Sequence, residues 1–80
     1  MNNPIDNYIS QLKEALDIAN VSPLKRKAAL ATIRNQWKDR SLSSFNHWRY
    51  SGESEHFEYM QFCGQIAKEI EAIAKQDGAS

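Results

Sequence analysis

Two apolar seams constrain this chain more than anything else in it. Ile5, Ile9, Leu12, Leu16 and Ala19 step 4, 3, 4, 3 near one end, and Tyr59, Cys63, Ile66, Ile70 and Ile73 step the same way near the other. That spacing puts each set on one face of a helix, whereas a strand would divide it between two faces. Tyr8 and Ala15 widen the first seam; Phe62, Ala67 and Ala74 widen the second. Each seam is too short for a free-standing coiled coil and suits a bundle or an intertwined dimer.

The residues between and beside the seams set the helix boundaries. Asn3 is a good N-cap, Pro4 suits the first helical position and Asp6 favours the first turn, so a helix is predicted from Pro4 to Ala19. Asn20-Val21-Ser22-Pro23 ends it and caps the next, and so short a connection predicts that the first two helices form an αα-hairpin. The second helix is expected from Pro23 to about Arg40. Its apolar side is Leu30, Ile33 and Trp37, with Ala29 and Leu24 beside them. Ser41 to Ser44 read as a break. After it Leu42, Phe45 and Trp48 recur every three residues, which predicts a short cross-helix over Phe45 to Tyr50 that ends at Ser51-Gly52. A last helix follows from Ser54 to about Lys75, with 76–80 as a frayed tail. Gly64 interrupts it at a cost of about 1 kcal/mol against alanine and is expected to let another backbone approach. The fold expected is all-α, a single domain over residues 1–80: a helical hairpin, a short cross-helix and a long C-terminal helix, forming a small bundle completed by dimerisation. Eighty residues bury only about 60–65% of the unfolded surface, which is why a second copy is expected to add core.

Charge is balanced overall and uneven along the chain. Residues 1–22 carry Lys13 against Asp6, Glu14 and Asp17. Residues 23–50 carry Lys25, Arg26, Lys27, Arg34, Lys38, Arg40 and Arg49 against the single acid Asp39. Residues 51–80 carry two lysines against six acids. The cations at 25–27 lie in the first turn of their helix, where they oppose the macrodipole, so a use elsewhere is expected for them. One use is pairing with the acidic last helix; another is an external anionic partner.

No arrangement of residues suggests catalysis. The lone Cys63 sits on the apolar seam and reads as a small core residue, without the base a nucleophilic thiol needs. His56, Met60 and Cys63 share a helical face but lack the further ligands that zinc requires. Glu53-x-x-His56 matches one element of a di-iron bundle site, which needs two such elements and two further glutamates. No glycine-rich phosphate loop is present. The expectation is a non-enzyme without metal or cofactor. A single cysteine excludes an internal disulfide, no apolar run approaches the ~20 residues of a membrane span, and no signal sequence is visible, so a cytoplasmic protein without membrane contact is expected.

What remains is contact. The stretch Trp37 to Gly52 holds both tryptophans and residues of the kinds that dominate binding patches, so Trp37, Arg40, Phe45, His47, Trp48, Arg49 and Tyr50 are the candidate partner-binding residues. Trp48, Arg49 and Tyr50 are consecutive, so they cannot all point inward. The expected function is a small interaction module, a regulator or inhibitor that binds another protein such as a host factor, and that self-associates. In size, neutrality and cysteine use the chain is similar to the accessory proteins encoded by bacteriophages and prophages, antirepressors among them, although no motif identifies a family. The alternative is a DNA-binding regulator with a helix-turn-helix-like segment over 37–52. There Ser43, Ser44, Asn46, His47 and Arg49 would meet bases, and Lys25, Arg26, Lys27, Arg34, Lys38 and Arg40 would hold phosphates. The absence of a glycine from the supposed turn, Lys38 to Ser41, counts against it.

Overall fold

The computed structural model describes residues 3–78, in which the helices are Pro4–Ala19 (α1), Pro23–Ser51 (α2) and Ser54–Gly78 (α3). No strand occurs among the described residues. The boundaries follow local chemistry. Asn3 Oδ1 accepts from the Ile5 N–H at 2.9 Å, and Pro4 occupies the first turn. Asn20 closes α1 in the left-handed conformation, φ 51°, donating its N–H to the Asp17 carbonyl at 3.1 Å. Ser22 caps α2, its hydroxyl oxygen accepting from the Lys25 N–H at 3.4 Å. Gly52 ends α2 at φ 72° and donates to the Trp48 carbonyl at 2.8 Å.

The expected break at Ser41 to Ser44 and the short cross-helix after it do not form, because α2 runs unbroken for 29 residues. The physical reason lies across the interface. Ser41 Oγ donates to the Met60 carbonyl of α3 at 3.0 Å, and Ser44 is buried. The serines are therefore small contact residues, and packing outweighs their helix-propensity deficit of about 0.5 kcal/mol each. Leu42, Phe45 and Trp48 do not form one covering stripe. Successive positions are 300° apart on a helix, so they fan round α2, and Leu42 ends up 60% exposed.

The hairpin also differs from expectation. The close antiparallel pair is α2 with α3, joined through Gly52-Glu53, and α1 lies over one side of that pair. Small residues explain this choice of partner. Ser41 on α2 meets α3 at the Met60 carbonyl and beside Gly64, and Ser44 and Ala67 are buried, so the two backbones come close. α1 presents isoleucine, leucine and tyrosine, whose bulk holds its backbone off. α1 meets α2 through long side chains instead, with Trp37 Nε1–H donating to Tyr8 Oη at 3.1 Å and Arg26 pairing with Asp17 at 2.7 Å.

The core is Ile9 of α1, Leu30 of α2, and Ile66, Ile70 and Ile73 of α3, flanked by Ile5, Tyr8, Leu12, Leu16, Ile33, Trp37, Phe62 and Ala74. Both seams therefore point inward as read, apart from the exposed Ala15, Ala19 and Tyr59 at their margins. Leu24 does not join them and is 79% exposed. All three helices of the chain contribute to this core. α3 continues past Lys75 to Gly78, so Gln76 and the two residues after it are helical; residues 79–80 lie outside the described part of the chain.

Candidate interaction groove

Helical register turns the uneven charge along the chain into uneven charge around it. On α2 the positions 27, 34, 38, 42, 45 and 49 recur at steps of three, four or seven and so share one face. Leu24 and Leu42 are eighteen residues apart, five full turns, and lie on that face as well. The acids Glu55, Glu58 and Glu69 share the α3 face of Phe62, whose ring meets Trp37 at 6.4 Å on the side that α1 covers. Lys27, Arg34, Lys38 and Arg49 of α2 and most acids of α3 thus lie on opposite sides of the hairpin. The expected pairing of the basic helix with the acidic one does not form. Arg26 pairs with Asp17 of α1, while Lys27, Arg34, Lys38, Arg49 and Lys68 make no ion pair among the described residues. Lys25 is exposed on the outer face of α2.

Between α2 and α3, on the side away from α1, runs an open groove. Lys38, Ser41, Leu42 and Phe45 form one wall, and Met60, Gly64, Ala67, Lys68 and Glu71 form the other, around a volume of about 490 Å³. Further along, Leu24, Lys27 and Ala74 line a second hollow of about 630 Å³, closed by Asp17, Val21, Pro23 and Arg26. Gly64 matters to the first of these. A Cβ there would meet only Ser41 Oγ, at 3.8 Å, which is ordinary contact. The close backbone approach expected of Gly64 therefore does not require a glycine; its missing side chain leaves room in the groove wall.

The candidate residues of 37–50 fall into separate groups, Trp37 with Arg40 and Phe45 with Trp48 and Arg49, while His47 and Tyr50 lie elsewhere. Trp37 is half-buried against Tyr8 (ring centroids 5.4 Å apart) and Phe62, with the Arg40 guanidinium 4.6 Å over its ring. It is a structural anchor for α1. Phe45 lines the groove, and Arg49 lies 5.9 Å above its ring. Trp48 sits between Phe45 and Phe57 at 6.0 and 5.2 Å. His47 stacks on His56 at 5.4 Å near the hairpin tip. Tyr50 is 93% exposed, on the outer face with Ser43 and Asn46. The segment contains no turn, so the geometry of a helix-turn-helix is absent from 37–51. Leu42, Met60, Gly64 and Lys68 were not among the contact residues expected from the sequence. The signal for the first was its exposure on the face of Lys38 and Phe45, which a continuous helix would have revealed.

Both histidines and the thiol have structural partners. His47 Nδ1 lies 2.9 Å from the Ser43 carbonyl, and His56 Nε2 is 3.7 Å from Glu53, so the Glu-x-x-His pair faces itself at the start of α3. Cys63 is fully buried. Desolvation raises its thiol pKa, opposed by a hydrogen bond with Tyr59 and by the charge of Arg40. No group of three or more metal-ligating side chains occurs among the described residues, and no helix is long and apolar enough to cross a membrane. The chain matches no protein-family model, no curated protein and no solved structure at a significant level.

Proposed function

We propose that this protein is a non-enzymatic interaction module that binds another protein, acting as a regulator or inhibitor of the kind that bacteriophages and prophages encode, inside the cell. The observation that supports this most directly is the α2–α3 groove, which combines exposed apolar floor with cations that make no ion pair among the described residues. Apolar anchors at the centre of a polar rim are the usual make-up of a binding patch. The test is affinity capture from the source cell at two salt concentrations, with wild type and Leu42→Asp as baits. Position 42 is exposed enough to accept a carboxylate without disturbing the core. A stoichiometric partner retained by wild type and lost by the variant is the expected result; equal recovery by both would remove the groove from the reading.

Two further readings each have one supporting observation. The unpaired cations on one face favour an anionic polymer, so DNA binding remains the alternative, to be measured by gel shift with random duplex between low and high salt. Self-association would use the large apolar residues left exposed near the α1–α2 connection, Ile18 at 76% and Leu24 at 79%. Light scattering across micromolar concentrations checks it, and a strictly monomeric chain would end that reading.

A further inference from the structure

We infer that the groove between α2 and α3 receives an acidic amphipathic helix from another protein. This rests on the interaction-module reading and specifies its partner.

Shape comes first. α1 covers one side of the α2–α3 hairpin, and the opposite side lacks the corresponding helix. Leu24 and Leu42 stand exposed on that side, eighteen residues apart along α2, a separation of about 27 Å at the helical rise. A segment that covers both is itself a helix of about 18–20 residues. The floor between α2 and α3 suits the side chains such a helix presents at i, i+4 and i+7: Leu42, Phe45 and Met60 supply apolar surface, and Gly64 leaves a recess.

Charge then selects among occupants. Lys38 and Lys68 border the groove, and Lys27 the hollow beyond it, without ion pairs among the described residues; Glu71 is the one lining acid not already committed, since Asp17 is held by Arg26. A second copy docked face to face by a twofold axis would set these lysines against their own copies, which like-charge repulsion disfavours. A nucleic acid satisfies the lysines but leaves Leu42, Phe45 and Met60 against phosphate and sugar, with nothing to desolvate them. A helix with leucine-like residues on one stripe and Glu or Asp on both flanks satisfies floor and rim together.

The test uses the full chain, immobilised, against a displayed library of helical 20-residue peptides. The apolar stripe is fixed and the flanking positions vary among Glu, Gln and Lys. The expected result is at least tenfold enrichment of Glu over Lys at the flanks, lost on Leu42→Asp. The double variant Lys38→Glu/Lys68→Glu should reverse the preference towards Lys; circular dichroism confirms that both variants keep their helices. Equal enrichment of Gln or Lys, no enrichment at all, or selection indifferent to Leu42→Asp would overturn the inference. So would random duplex DNA binding that Lys38→Glu/Lys68→Glu abolishes, or a dimer by light scattering that Leu42→Asp dissolves. If affinity capture yields a partner dependent on Leu42 while the library shows no acidic preference, the module reading stands and the acidic-helix inference alone fails.

Discussion

At the scale of single residues, the chain's aromatic and sulfur groups divide into anchors and walls. Trp37 holds α1 to the hairpin through Tyr8 and Phe62. Trp37→Ala should cost about 3–5 kcal/mol, the range for large aromatic truncations, while Tyr8→Phe should cost about 0.5–1.5 kcal/mol by removing one hydrogen bond. Urea titration of both variants separates packing from bonding. Cys63 makes a pH prediction. Its thiol pKa is raised in the folded state, so the folded chain holds a proton that the unfolded chain, with a pKa of about 8.5, releases first. Stability from this group is present below about pH 8.5 and falls as pH rises from there towards the folded value. The urea midpoint of wild type should therefore drop more between pH 7.5 and 9.5 than that of Cys63→Ala, and a thiol reagent should modify native Cys63 only at the unfolding rate. Gly64→Ala should stabilise the fold by up to about 1 kcal/mol, because the new methyl meets only Ser41 Oγ at ordinary contact distance. A loss of stability would show that the wall at Gly64 is tighter than its geometry.

At the scale of elements, the telling feature is the unbroken α2. Ser41 to Ser44 looked like a terminator because serine is a middling helix former that favours caps. What keeps them helical is α3, which takes a hydrogen bond from Ser41 and buries Ser44. Proline at the exposed Ser43 discriminates between the two pictures. In a turn it would be tolerated; inside this helix it should cost about 3 kcal/mol or more, read as a fall in thermal midpoint and helical signal. The ends of the helices, by contrast, were legible, because Asn3-Pro4, Asn20, Ser22-Pro23 and Gly52 act through their own side chains or backbone conformations and need no tertiary partner.

At the scale of the whole molecule, the shape is extended for its length. The radius of gyration is 14.3 Å, where an average compact chain of 80 residues gives about 11.6 Å. A hairpin covered on one side only has this form. X-ray scattering from a monomer should return a value near 14 Å plus hydration, and the partner peptide should bring mass to the open side. A markedly smaller radius for the free chain would mean that the groove closes on itself.

The sequence by itself determined the helical class, the two inward seams, the caps and the buried thiol, since each depends on spacing or on chemistry within a few residues. The tertiary structure alone decided which helices pair, that α2 continues through its serines, and where the charge points. Those outcomes depend on the closeness of two backbones and on the rotational register of one helix against another. Ser41, hydrogen-bonded to the Met60 carbonyl, marks the first, and the eighteen-residue return from Leu24 to Leu42 exposes the second. Neither can be read while residues 41–44 are taken for a turn, because a break there resets the register and hides the face on which Lys38, Leu42 and Phe45 meet.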